Sequence, residues 1–268
     1  MNVLDLFSGI GGFSLGLEST GFFKTVAFVE KDKFCQKVLQ KNFPNIPIED
    51  EVRNVKGEKY KAEIITGGFP CQPFSVAGKR RGTDDDRYLW DETIRIVSET
   101  KPKWFIGENV EGIINIQDGM VFRQIHDDLE SEGFEVQSLV IPASGVGAWH
   151  QRKRVWIIGC NVSNTISELP DGCSGSSRNS KTKFNRVECN ESWNWNEIRS
   201  KTKRCSEQGK YQSWWEAQSD ILRNVDGLSY ELDKDRSQRV KALGNSIVPQ
   251  IVYEIGKAII EGETSASA

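Results

Sequence analysis

The sequence predicts an α/β fold, a doubly wound and mostly parallel sheet that carries a small irregular second lobe. Two observations predict it. Over residues 1–160, short apolar runs alternate with amphipathic segments of helix length, the pattern of parallel strands joined by crossover helices. After Cys160 the composition shifts to Ser, Asn, Lys and Gly with weak periodicity, which marks an insertion rather than more sheet. The 268 residues suffice for one sizeable core and a small appendage.

Each element follows from its apolar spacing. Asn2–Phe7 is a buried strand, and Gly11–Ser19 opens a helix behind it. Thr25–Glu30 is the second strand and Asp32–Asn42 the second helix. Ala62–Thr66 is a short buried strand, Tyr88–Glu99 an amphipathic helix, and Lys103–Gly107 another strand. Gly119–Glu132 is helical; Phe134–Ile141 and Val155–Cys160 are strands. Order returns near Arg239, and Val248–Ile260 has helical spacing, so this helix is expected to pack back onto the first domain. The expected boundaries are 1–160 plus 237–268 for the main domain and 161–236 for the lobe. The lobe holds four of the eight tryptophans, Trp193, Trp195, Trp214 and Trp215, read as its own small core. There is no internal repeat.

Composition narrows the class. Apolar content is 37%, and no apolar run approaches the ~18 residues of a membrane span. The first residues lack early Lys or Arg and are broken by Asp5 and several glycines, unlike a secretory leader. A cytoplasmic protein with no membrane contact is expected. Cys173, Cys189 and Cys205 are evenly spaced, but each stands without a paired ligand, so the six cysteines read as reduced thiols and no metal site is expected. The net charge of −3 speaks against a nucleic-acid partner. Residues 178–210 answer that in part, with nine Lys/Arg against four Asp/Glu.

Five short motifs carry chemistry. Asp5-Leu6-Phe7-Ser8-Gly9-Ile10-Gly11-Gly12 joins the first strand to the first helix, a turn where glycines let a cofactor approach the backbone. Glu30 ends the next strand, where a carboxylate commonly accepts ribose hydroxyls. Alone these fit a dinucleotide oxidoreductase, or a plain tight turn, nearly as well. Gly67-Gly68-Phe69-Pro70-Cys71-Gln72-Pro73-Phe74-Ser75 also follows a strand, so Cys71 stands on the same rim. Cysteine is more often a small buried apolar residue, but two Gly and two Pro around it suit a stiffly presented nucleophile. The following Ala77–Arg87 stretch mixes glycines with cations, as a mobile phosphate-meeting loop does. Gly107-Glu108-Asn109-Val110, read as lying just after a strand, offers a carboxyl for proton transfer, or only a solvated Glu. His150-Gln151-Arg152-Lys153-Arg154 precedes a strand, and its plain reading is a surface cationic patch. Gly244-Asn245-Ser246-Ile247-Val248-Pro249 caps the last helix at the least.

In this order and spacing, DLFSGIGG, FPCQPFS, ENV, the Arg-x-Arg pair and GNSIVP resemble the cytosine-5 DNA methyltransferases. The resemblance spans roughly 1–160 and 239–260. It implies a Rossmann-like, S-adenosylmethionine-dependent enzyme in which Cys71 attacks carbon 6 of a flipped-out cytosine. The catalytic set implied is Cys71, Glu108, Arg152 and Arg154: Glu108 holds and protonates the base, and Arg152 holds its O2 and helps place the Cys loop. The implied cofactor set is Phe7, Gly9, Ile10, Gly12, Glu30, Lys31, Glu51, Val52, Pro70, Leu89, Asn245 and Ser246. The implied partner is double-stranded DNA, met by a monomer, with the lobe as a reduced target-recognition unit.

Four departures from the family pattern stand out. Lys31 replaces the usual aromatic beside the adenine. Glu51 replaces an Asp, with Asp50 as a neighbouring substitute. Gln151 adjoins Arg152, where the family places Gln one position earlier, at His150. The lobe is shorter than usual, which predicts short or relaxed target specificity. A transfer-RNA methyltransferase is the nearest alternative. A catalytically silent DNA-binding relative leaves Cys71, Glu108 and Arg152 without a use, and an oxidoreductase leaves FPCQ and ENV unexplained.

Overall fold

The computed structural model describes residues 1–70, 89–162 and 236–266. Cys71, the Ala77–Arg87 stretch, and the lobe's four tryptophans and three cysteines lie outside the described residues. Among the described residues seven strands form one sheet in the order β3-β2-β1-β4-β5-β7-β6. They are β1 (Asn2–Leu6), β2 (Lys24–Val29), β3 (Ile48–Glu49), β4 (Ile64–Gly67), β5 (Trp104–Val110), β6 (Phe134–Pro142) and β7 (Lys153–Asn161). The helices are α1 (Gly12–Glu18), α2 (Lys33–Asn42), α3 (Leu89–Thr100), α4 (Met120–Ser131), α5 (Arg236–Asn245) and α6 (Pro249–Ala266). Strands β3, β2, β1, β4 and β5 pair in parallel. Strand β7 runs antiparallel between β5 and β6. The doubly wound, mostly parallel sheet is the predicted one.

Side chains alternate across the sheet and are buried on both sides, which is why the strands read as continuous apolar runs. On one face Leu4, Leu6, Ile65, Phe105 and Ile157 pack with Trp90 and Ile96 of α3 and with Ile125 and Leu129 of α4. On the other, Val3, Ile64, Ile106 and Trp156 meet Phe13 and Leu17 of α1 and Val252, Ile255 and Ile259 of α6. The last helix thus returns to the sheet as expected. Helices α1 and α6 approach so closely that a Cβ on Gly16 would lie 2.5 Å from the Pro249 carbonyl oxygen and 2.6 Å from Val252 Cβ.

Three boundaries differ from the sequence reading. Strand β5 continues through Glu108 and Asn109 to Val110, and β7 begins earlier, at Lys153. The cause is their mutual ladder, which pairs Glu108 with Trp156 and Val110 with Arg154. The motif read as lying after a strand is therefore inside one. Phe7 leaves β1, with φ 52°. Arg236–Asn245, where the sequence shows only order returning near Arg239, forms a separate helix, α5. Among the described residues no helix is long and apolar enough to cross a membrane.

Candidate active site

The register brings three strand ends level with the middle of β5. Leu6 pairs with Val29 on one side and Gly67 on the other, and Gly67 pairs with Gly107. The next residue of each strand therefore falls on one rim: Phe7, Glu30, Gly68 and Glu108. Above them opens a cleft of about 650 Å³, closed on its far side by α5. Its walls include Phe7, Gly9, Glu30, Lys31, Pro70, Glu108, Arg152, Arg154 and Asn245, all singled out from the sequence. Carboxyl ends of parallel strands are where ligands bind in open α/β sheets.

Glu108 is a strongly perturbed carboxyl on the wall. Its Oε1 lies 3.0 Å from Arg154 Nε, with side chains only 13% and 22% exposed. Burial pushes its carboxyl up to about 7, while Arg154 and then Arg152 pull it down. A carboxyl that titrates near neutrality can both hold and lose a proton under working conditions. Gly68, three residues before Cys71, is close by, since a Cβ there would lie 3.6 Å from Glu108 Oε2. Asn109, quoted in the motif but given no role from sequence, supplies the anchor. Its Nδ2 donates to the Phe69 carbonyl at 2.9 Å, two residues before Cys71. The buried amide thereby ties β5 to the start of the Cys71 loop.

Arg152 reaches toward the connection between α5 and α6. One guanidinium nitrogen donates to the carbonyls of Gly244 at 2.7 Å and Ser246 at 2.9 Å. Burial holds its pKa below the ordinary arginine value. Its φ of 32° places a non-glycine residue in the left-handed region, a conformation that persists only where surroundings enforce it. Arg152 therefore fastens β7 to the GNS turn while standing on the cleft wall.

At the other end of the cleft, Glu30 accepts the Gly9 N–H on Oε2 at 2.6 Å and the Asp32 N–H on Oε1 at 2.7 Å. Burial raises its pKa, and those same N–H groups oppose the rise. Each carboxylate oxygen keeps a lone pair for a further donor. Gly9 has φ +54°, and nothing lies within 4 Å of where its Cβ would sit, so space over the turn is open to a ligand. Beneath the turn, Asp5 is fully buried and accepts from Thr66 Oγ1 at 2.8 Å and Ser14 Oγ at 3.2 Å. Burial still pushes it up to about 7.

The remaining predicted residues stand off the wall. Gly12 is buried against Ile247, whose Cβ would lie 2.8 Å from a Cβ there, so this glycine serves the packing of α1. Val52 lies in the core. Glu51 precedes the short turn Val52–Asn54, and Asp50 pairs with Lys33 at 3.8 Å on the surface. Ile10, Leu89 and Ser246 do not line the cleft; Ser246 acts through its carbonyl. Sequence reasoning missed Phe34 and Lys241 on the wall, which carry no motif signal. Of the described cysteines, burial pushes Cys35 up to about 12 and Cys160 up to about 11, which makes both poor nucleophiles. Among the described residues no group of three His, Cys, Asp or Glu side chains could hold a metal.

Residues 1–227 match the sequence model of C-5 cytosine-specific DNA methylases. The type II methyltransferase M.Bsp6I of Bacillus sp. is 38% identical over 163 residues, 59% of this chain and 52% of that protein. M1.ScrFI of Lactococcus lactis, another type II methyltransferase, is 39% identical over 158 residues, 59% of this chain and 41% of that protein. These matches span about half or less of the relatives' length. The crystal structure of the S. pombe Dnmt2 methyltransferase superposes with a TM-score of 0.62 at 13% identity, over 96% of this chain and 97% of that one, and so shares the fold.

Proposed function

The chain belongs to the C-5 cytosine-specific DNA methylase family, and from that premise we propose that it transfers a methyl group from S-adenosylmethionine to carbon 5 of a cytosine in double-stranded DNA. The observation that carries the reading is Glu108: a buried carboxyl raised to about 7, paired with Arg154, beside the segment that leads to Cys71.

The residues fit the cofactor. The open space over Gly9 and the free lone pairs of Glu30 suit a nucleoside, with Phe7, Pro70 and Asn245 on the same walls. When bound, S-adenosylmethionine supplies an electrophilic methyl group. The chain's own residues make the base able to accept it. Carbon 5 of cytosine is a poor nucleophile until a thiolate adds at carbon 6, and Cys71 is the residue assigned to that addition. Charge then builds on N3. Glu108 in its acid form donates a proton there, and Arg154 stabilises the carboxylate left behind; once carbon 5 has accepted the methyl, loss of its proton expels the Cys71 thiolate from carbon 6 and restores the ring. Arg152 steadies the cleft by fastening the GNS turn and faces the base oxygen. The base edge is unreachable inside a duplex, so the cytosine is flipped out. Residues 1–160 and 237–268 form the catalytic unit in this account, and 161–236 read the target.

The test is methyl transfer from labelled S-adenosylmethionine to duplex DNA and to transfer RNA, with Cys71→Ser alongside. Label on DNA from the wild type and none from Cys71→Ser is expected. Cofactor binding without transfer to DNA would overturn the reading, and transfer to RNA alone would replace the substrate. Bisulfite sequencing of the product gives the target site.

A further inference from the structure

We propose that Trp149 is a DNA contact whose indole packs against the nucleotide adjoining the flipped-out cytosine. The proposal rests on the reading of the cleft as a cytosine-methylating site. Trp149 is 76% exposed, the most exposed of the large hydrophobic residues described. Tryptophan is among the most buried residues on average, so one this exposed asks for a partner.

The loop that presents it is tied down on both sides. Ala143–Val146 forms a single tight turn, and Gly147 follows at φ +93°. The Ala148 N–H donates to the Ala143 carbonyl at 3.2 Å, and the Ala143 N–H donates to the Gln151 carbonyl at 2.7 Å. Ala143 and Ala148 are themselves buried. The bonds bracket Trp149, so its exposure belongs to the shape of the loop.

Its chain position keeps it near the cleft. Arg152, on the cleft wall, stands three positions on; three residues of chain reach at most about 11 Å. The cleft wall also carries Val110, 46% exposed and paired across the ladder with Arg154. Trp149 is followed by His150, Gln151, Arg152, Lys153 and Arg154; Lys153 and Arg154 pair with Glu111 and Glu108, while Arg152, held by backbone carbonyls, keeps an uncompensated charge that suits a phosphate.

The partner's chemistry follows. Extruding a base leaves the neighbouring pair with one bare face, a large apolar surface held between phosphates. A fixed indole near the Arg152 charge matches both features. Base–aromatic stacking is sequence-tolerant, because every base has a π face. Trp149 would therefore favour the flipped state without selecting the target sequence. No bond forms or breaks in this role.

The experiment uses the full chain. The methylated site is first mapped on plasmid DNA, and a duplex bearing 2-aminopurine at the target position then reports flipping by its fluorescence. Trp149→Ala should weaken duplex binding and the flipping signal about tenfold, equal to ~1.4 kcal/mol. Trp149→Phe should stay within about threefold of wild type, since it keeps a ring. Cofactor affinity, measured by calorimetry, should be unchanged in both, and the salt dependence of DNA binding should keep its slope because no charge is removed. Wild-type flipping and DNA affinity in Trp149→Ala would overturn the proposal. So would parallel loss of cofactor binding, which would make the residue structural. If the wild type methylates DNA and Trp149→Ala behaves normally, only this inference falls. If the wild type methylates no DNA, the functional reading falls and takes the inference with it.

Discussion

Replacing Glu108 by Gln keeps a side chain of the same shape in β5 and removes its proton. Burial raises the Glu108 carboxyl from 4.5 to about 7 against the pull of Arg154 and Arg152. The acid form donates, so the competent fraction is nearly whole at about pH 6 and falls roughly tenfold per unit above about 7. The thiol required at position 71 ionises in the opposite sense and blurs the raw profile, because its own competent form grows as pH rises. The ratio of wild-type to Glu108→Gln rate cancels that contribution. General-acid catalysis is worth about 10²–10⁴ in rate, so the ratio should stand near that range at about pH 6. It should decline by about a factor of ten per unit above 7. The assay is single-turnover methyl transfer to duplex DNA at saturating cofactor. A ratio that stays constant from about pH 6 to 9 would refute the proton-donor role and leave Glu108 as a hydrogen-bonding group only.

Four further predictions concern the frame around the site. Gly16→Ala, whose Cβ would meet the Pro249 carbonyl at 2.5 Å, should force α1 from α6 and lower stability by about 1–3 kcal/mol in urea unfolding. Gly262→Ala, with open space around it, should be neutral or slightly stabilising. Arg152→Ala removes the donor to Gly244 and Ser246 and should lower stability by about 2 kcal/mol, with a matching shift of the urea midpoint. Asp5 is raised from 3.8 to about 7 on folding. The stability it contributes is full below the unfolded value and is lost as pH rises through 7. Between about pH 5 and pH 8 that loss is about 3 kcal/mol, and Asp5→Asn should remove it from the pH dependence of unfolding.

Local signals carried most of the fold. The apolar runs at Asn2–Phe7 and Ala62–Thr66 are strands because both faces of a parallel sheet are covered, and that burial writes itself into sequence. The turns after them, with Gly9 and Gly68, were readable as strand-end loops, and their residues do share one cleft. What escaped depends on contacts distant in sequence. Glu108 and Asn109 belong to β5 only because β7, about fifty residues later, pairs with them. Gly12 carries the spacing of a cofactor turn, yet its lack of a side chain serves Ile247 from the far end of the chain. Asn109 has no local mark of its bond to Phe69. The exposure of Trp149 was equally hidden, since nothing in an Ala-Trp-His tripeptide says which way the ring faces.

The central claim is that Cys71 forms a bond to the target cytosine, and it can be read directly. Duplex DNA carrying 5-fluorocytosine at the mapped site should trap the enzyme in the presence of S-adenosylmethionine, because fluorine cannot leave carbon 5 as a proton does. Mass spectrometry of the digested complex should find the modified base on the peptide containing Cys71, and Cys71→Ser should yield no adduct and no methyl transfer. Methyl transfer at wild-type rate by Cys71→Ser, or an adduct on any other residue, would contradict the account.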